Sequence, residues 1–245
     1  MSTRMSAPLS RTIVRLGLHS IFGRWRGALL FVLPLVLLAL AVLVRVLVGE
    51  DRDATLGTLY TLGLAVIVPL VALLATSGLL APEIDDGSIS YLLAKPISRY
   101  TIVMSKLVVA AACVLVFGAL PVLVAGLVLL TSTPSLAVGF AVASLVGGVA
   151  YCSLFAYLSV RTRHAVVIGL IYLLIWEGLL GGLLDGVRWL SITRWSTEII
   201  DQVADETLIG NLPIGYAVAA FAVVIGVGTW MTGRRLRAFN LTGDE

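Results

Sequence analysis

Six long apolar runs constrain this chain more than any motif in it: 27–48, 57–80, 107–130, 136–160, 165–184 and 213–232. Each is near or above the ~20 residues a helix needs to cross a bilayer. With no water to bond backbone amides there, such runs read as helices that satisfy their own polar groups. Only 13% of the residues are charged, against roughly 25% in a soluble domain. The expected fold class is an all-α integral membrane protein, one domain over residues 1–245 with six transmembrane helices. Pro34, Pro69 and Pro121 fall inside runs, which membrane helices tolerate. Ala39-Leu40-Ala41 resembles a cleavage site, but the run continues past it and its leader is long, so the first run is expected to be retained.

Charge sets the orientation. The leader before Gly27, the stretch Ala81–Lys106, the turn at Arg161 and the tail after Gly233 hold 13 of the 17 Lys and Arg, leaving Arg45, Arg52, Arg188 and Arg194 for the other side. Loops rich in Lys and Arg stay cytoplasmic, so both termini are expected there. Within the leader, Val14, Leu18, Ile21, Phe22 and Trp25 share one helical face beside Arg11 and Arg15. That pattern predicts an amphipathic interfacial helix contacting membrane lipids. Trp189, Ile192, Ile199 and Val203 also follow helical spacing, which predicts a short external helix on or dipping into the outer interface before the last span. Gly139, Ala143 and Gly147 recur every four residues, as do Gly178, Gly182 and Gly186, and such small residues mark close helix contacts, within one subunit or between two.

The residues that could carry chemistry are few. Glu177 is the one ionisable residue well inside a run, at a cost of about 2.5–3.5 kcal/mol if unpaired. It either bonds a neighbouring helix or the tryptophan-rich external segment, or lines a translocation path. No H-E-x-x-H motif or pair of intramembrane Asp is present, so an intramembrane protease is not expected. Cys113 and Cys152 sit in apolar runs and read as small buried hydrophobes. With only His19 and His164 besides, no metal site is expected. There is no Gly-Lys dipeptide and hence no phosphate-binding P-loop. No enzyme activity is expected of this chain, and the basic residues follow the membrane, with no patch for nucleic acid.

The longest polar interruption in the first two thirds of the chain is Ala81–Lys106. It carries Glu83, then Gly87, Ser88 and Ile89, then Leu92 and Leu93, then Lys95-Pro96-Ile97-Ser98-Arg99, with Lys106 opening the third run. Proline cannot continue the helical ladder, so Pro82 is expected to end the second span. Ser88 can cap a short helix through Ile89, Leu92 and Leu93, which Pro96 stops. The order of these residues resembles the cytoplasmic loop of the permease subunits of type-2 ATP-binding-cassette transporters. The six-run layout fits that family, as do Trp176-Glu177-Gly178 and the Trp189-Leu190-Ser191 region, more loosely.

The resemblance implies that the loop is a cytoplasmic coupling helix, pushed by an ATPase subunit when that subunit binds nucleotide, with Glu83 at the base of the lever. Glu83, Gly87, Ser88, Ile89, Leu92, Leu93, Pro96 and Arg99 would then couple transport to ATP hydrolysis. ATP and Mg would sit on the partner ATPase, and this chain would bind no cofactor itself. The resemblance further implies a second permease copy or a paralogue, export as the direction, and the plasma membrane, for a bacterium the inner membrane. Mostly aliphatic runs with scattered Ser, Thr and Tyr suit an amphipathic or lipid-like cargo. The alternative is a secondary transporter driven by an ion gradient, for which a lone Glu177 and no visible repeat are poor support.

Overall fold

The computed structural model describes residues 25–49, 51–85, 99–162, 164–181, 185–205 and 212–238. Arg11 and Arg15 of the expected interfacial helix lie outside them, as do Gly87, Ser88, Ile89, Leu92, Leu93 and Pro96 of the expected coupling helix. All regular structure among the described residues is helical, and five helices are long and apolar enough to cross a membrane.

The first helix, α1, spans Trp25–Val48, so Trp25 forms its opening turn. The second, α2, is built from Arg52–Thr58, a π-helical segment Leu59–Ile67, and Val68–Asp85. The third, α3, joins Arg99–Val114, a π segment Leu115–Ala119, and Leu120–Leu129. Both π segments stop just before a proline, Pro69 or Pro121. Proline lacks an amide donor and its ring collides with the carbonyl four residues back. A wider turn relieves that conflict: Val68 N donates to Gly63 O and Leu120 N to Leu115 O, five residues back in each case. The sequence predicts plain helices here, although the prolines mark where the winding changes.

Helix α4, Pro134–Arg161, is the hub of the bundle. Pro134 lies in its first turn, where a missing amide costs nothing, and Arg161 in its last turn answers the negative end of the helix dipole. Around α4 pack α2, α3 and the last helix α7, Ile214–Ala238, while α1 lies outside against Leu120–Leu129 of α3. Tyr151, Phe140 and Phe155 of α4 are fully buried, as are Cys152 and, on α3, Cys113. By contrast α1 and α7 turn large apolar side chains outward, among them Leu35, Val46 and Val223. Outward Leu and Val cost nothing in hydrocarbon, so close packing is what holds the bundle together.

The fifth run departs from expectation. Here α5 comprises Ala165–Ile171 and a third π segment, Tyr172–Leu180. At 1.5 Å per residue it is at most about 24 Å long, short of the ~30 Å hydrocarbon layer. After a 3₁₀ turn, Asp185–Leu190, the chain re-enters the bundle as α6, Ile192–Ala204. The expected interfacial position of this external helix is corrected by its burial: Ile192, Trp195, Ser196, Thr197 and Ile200 are all enclosed. Thr193 meets Tyr151, while Gly147 and Gly139 leave room for Ser196 and Ile200. Helix α6 therefore runs antiparallel to α4, beginning at the level of Tyr151, about 26 Å along α4 from Pro134.

The Gly139–Ala143–Gly147 stripe thus packs within this chain: a Cβ at Gly139 would stand 3.2 Å from the Ile200 carbonyl oxygen. The second stripe does not. Gly178 and Gly186 are exposed, neither approaches another helix, and Gly182 lies outside the described residues.

Two further expectations change at the loop. Helix α2 continues through Pro82 and includes Glu83, ending at Asp85 rather than at the proline. Lys106 does not open a span but lies inside α3, which begins at Arg99. It is 4% exposed, and its Nζ donates to Leu79 O at 2.7 Å. The lysine thereby ties α3 to the backbone of α2 a few residues before Pro82. At the same end, Val103, Val160 and Leu236 form a small separate core that ties α3, α4 and α7 together.

Candidate functional site

The residues with chemistry gather where α5 stops and α6 begins. Ser191 caps α6: its Oγ accepts from Arg194 N at 3.2 Å and donates to Glu177 Oε2 at 2.6 Å. Glu177 Oε1 accepts from Ile192 N at 3.0 Å and, more weakly, from Tyr172 OH at 3.4 Å. The carboxylate therefore faces the positive end of the α6 dipole as well as two short donors, the arrangement that makes an acid tolerable at this depth. Trp176 Nε1 adds a bond to Leu190 O at 3.3 Å. Trp176-Glu177 and Leu190-Ser191, far apart in sequence, thus form one joint.

Around that joint the aromatic side chains form a frame. Tyr151, Phe155, Tyr172 and Trp176 follow one another from α4 to α5 with centroids 5.8–6.5 Å apart. On the far side of α6, Trp195 Nε1 and Tyr216 OH both donate to Trp189 O, at 2.9 and 2.6 Å. Glu198, 8% exposed, accepts from Leu212 N at 3.0 Å and holds the link to α7. Nothing in the sequence singles out Glu198, because a polar residue in an external segment carries no signal of burial until its partner Leu212 is known.

Glu177 also lines a cavity of about 390 Å³ between α2, α5 and the start of α6. The wall is mainly apolar, with Ala65, Val66 and Leu70 on one side and Leu170, Leu173 and Leu174 on the other. Polar groups enter at Tyr60, Thr61, Glu177, Ser191, Thr193 and Arg194. The Arg194 guanidinium lies 5.7 Å from the centroid of the Tyr60 ring, within cation–π range. Two of the three π segments form this wall, and such segments are frequent at functional sites. The sequence isolated Glu177 but set Arg194 outside the membrane, and nothing in hydropathy paired it with Tyr60.

Glu177 thus joins α5 to α6, as the bonding alternative expected, and also contributes a carboxyl group to the cavity wall. Of the expected coupling residues, Glu83 lies in the last turns of α2 and Arg99 is the first residue of α3. No curated protein matches the chain. The family model described as ABC-2 family transporter protein matches residues 28–239. That match runs from the first turn of α1 to the end of α7, so the chain belongs to the ABC-2 family of transporter proteins, as a multi-pass membrane permease.

Proposed function

We propose that this chain is the membrane-spanning subunit of an ATP-binding-cassette exporter, crossing the bilayer six times with both termini cytoplasmic. The observation that carries the proposal is the cavity between α2 and α5. It offers an apolar volume of about 390 Å³ with a carboxylate and a guanidinium on its wall, which fits an amphipathic cargo bearing polar groups at one end. Val66 and Leu174 of its lining are also exposed on the outside of the bundle. A second copy or a paralogue against this face would close a path that one subunit leaves open. The short α5 fits the same picture, since α6, running beside α4 from the level of Tyr151 toward Gly139, would complete the fifth crossing to the outer side.

Energy would come from a separate cytoplasmic ATPase acting on the Ala81–Lys106 loop. Support for this is the order of residues in the loop and the way its flanks are anchored. Lys106 of α3 bonds Leu79 of α2, so a force on the loop reaches both helices together, and α2 carries it to the cavity wall. For a bacterium the site of action is the inner membrane. The test is a pull-down from native membranes in mild detergent, comparing the wild type with a Gly87→Pro, Leu92→Asp variant. A soluble ATPase retained by the wild type and lost from the variant is the expected result. No ATPase with either protein would overturn the proposal and direct attention to proton-gradient transport through Glu177.

A further inference from the structure

At the end of the bundle where α4 and α7 both finish, Tyr157 and Arg161 of α4 face Trp230, Met231, Arg234 and Arg235 of α7 across a cleft of about 310 Å³. Among the described residues no acidic side chain lines it. Two helix C-termini here call for some positive charge, but three guanidiniums around one cleft exceed that need. Among the described residues no carboxylate pairs with any of the three. Instead two of them are held by neutral partners: the Arg234 guanidinium lies 4.7 Å from the Trp230 ring centroid, and Arg161 Nη1 donates to Tyr157 OH at 3.4 Å. A guanidinium held over an indole face is positioned without spending its N–H donors, which remain for a planar or tetrahedral oxyanion.

The height of the cleft agrees with its charge. Helices α4 and α7 run about 42 and 38 Å, longer than the ~30 Å hydrocarbon layer, so their ends reach the headgroups. Trp230, one turn before Arg234, occupies the position that indoles favour at a membrane interface. Leading up to it, Val223, Val227 and Trp230 share one face of α7 and are 60%, 47% and 49% exposed. This is an apolar track that ends at the arginines. The cleft volume is at the lower end of the ~300–1,000 Å³ typical of small-molecule sites, enough for a headgroup but not for a whole lipid.

We infer that this cleft binds the phosphate headgroup of an anionic phospholipid, with an acyl chain lying along the Val223–Val227 face. The three arginines select negative charge and Trp230 sets the depth. The inference needs only that α4 and α7 span the membrane, so it stands or falls apart from the ATPase and the cargo.

It is tested on the full chain in neutral detergent, titrated with dioleoyl phosphatidylglycerol or dioleoyl phosphatidylcholine and read by native mass spectrometry. The wild type should prefer phosphatidylglycerol by at least about tenfold. An Arg161→Gln, Arg234→Gln, Arg235→Gln variant should lose that preference, with phosphatidylglycerol about a hundredfold weaker. Should that variant not fold, Arg234→Gln alone should weaken phosphatidylglycerol about fivefold. Arg52→Gln, which matches the single charge lost in Arg234→Gln but at the other end of the bundle, should leave the preference intact. Equal binding of the two lipids, a preference that survives loss of the arginines, or an equal loss in Arg52→Gln would overturn the inference. Displacement of phosphatidylglycerol by millimolar inorganic phosphate would also overturn it, by identifying a free anion as the ligand.

Discussion

Replacing Glu177 tests the joint between α5 and α6 most directly. In Glu177→Ala, Ser191 Oγ and Ile192 N lose the acceptors they hold at 2.6 and 3.0 Å. Both donors belong to buried residues, and hydrogen bonds to a charged acceptor contribute about 1.5–3 kcal/mol each. Against that loss, removing an acid from the membrane interior recovers up to about 2.5–3.5 kcal/mol on insertion scales. The net destabilisation should therefore be modest, about 1–3 kcal/mol, and the coupling between partners is the sharper quantity. Ser191→Ala alone removes the cap of α6, at about 1 kcal/mol, together with its bond to Glu177. If that bond exists, the double variant should be less damaged than the sum of the two single changes by about 1–2 kcal/mol. Thermal melting of the purified chain in mild detergent, followed by tryptophan fluorescence, reads all four proteins at about 2–4 °C per kcal/mol. Additivity within about 0.5 kcal/mol would refute the joint.

Other outcomes follow from the packing. Gly139→Val should destabilise by about 1–3 kcal/mol, because its side chain meets the Ile200 backbone, whereas Gly178→Ala should stay within about 0.5 kcal/mol; melting of the two variants separates a packed stripe from an unpacked one. Lys106→Ala should cost about 1–3 kcal/mol by taking the donor from Leu79 O, visible as a lower melting temperature with membrane insertion unchanged. Arg194→Gln should impair transport more than it impairs folding, since the residue is only half-buried and stacks on Tyr60 at the cavity; a transport assay beside a melt distinguishes the two effects.

The class of this protein was legible from hydropathy alone, because a bilayer leaves a long apolar run no alternative to a helix. The loop residues from Glu83 to Arg99 pointed to the family that the match over residues 28–239 bears out. Glu177 stood out for the same reason, as an acid in hydrocarbon whose cost demands a compensating contact. What hydropathy could not supply was which contact. The helical spacing from Trp189 to Val203 read as a short external helix on or dipping into the outer interface, yet in the structure the polar side chains of this segment are spent inside the bundle. Ser191 caps toward Glu177, Thr193 bonds Tyr151, and Glu198 holds Leu212. Burial of a polar segment depends on partners distant in sequence, and a pattern of 3.6 residues says only that one face is buried, not beneath what. Likewise the π turns before Pro69 and Pro121 arise from a local conflict that the sequence marks but leaves open to several resolutions. Sequence by itself determined that the chain is a helical membrane protein of this family; tertiary packing alone decided that α6 runs antiparallel beside α4, because there its polar side chains find partners.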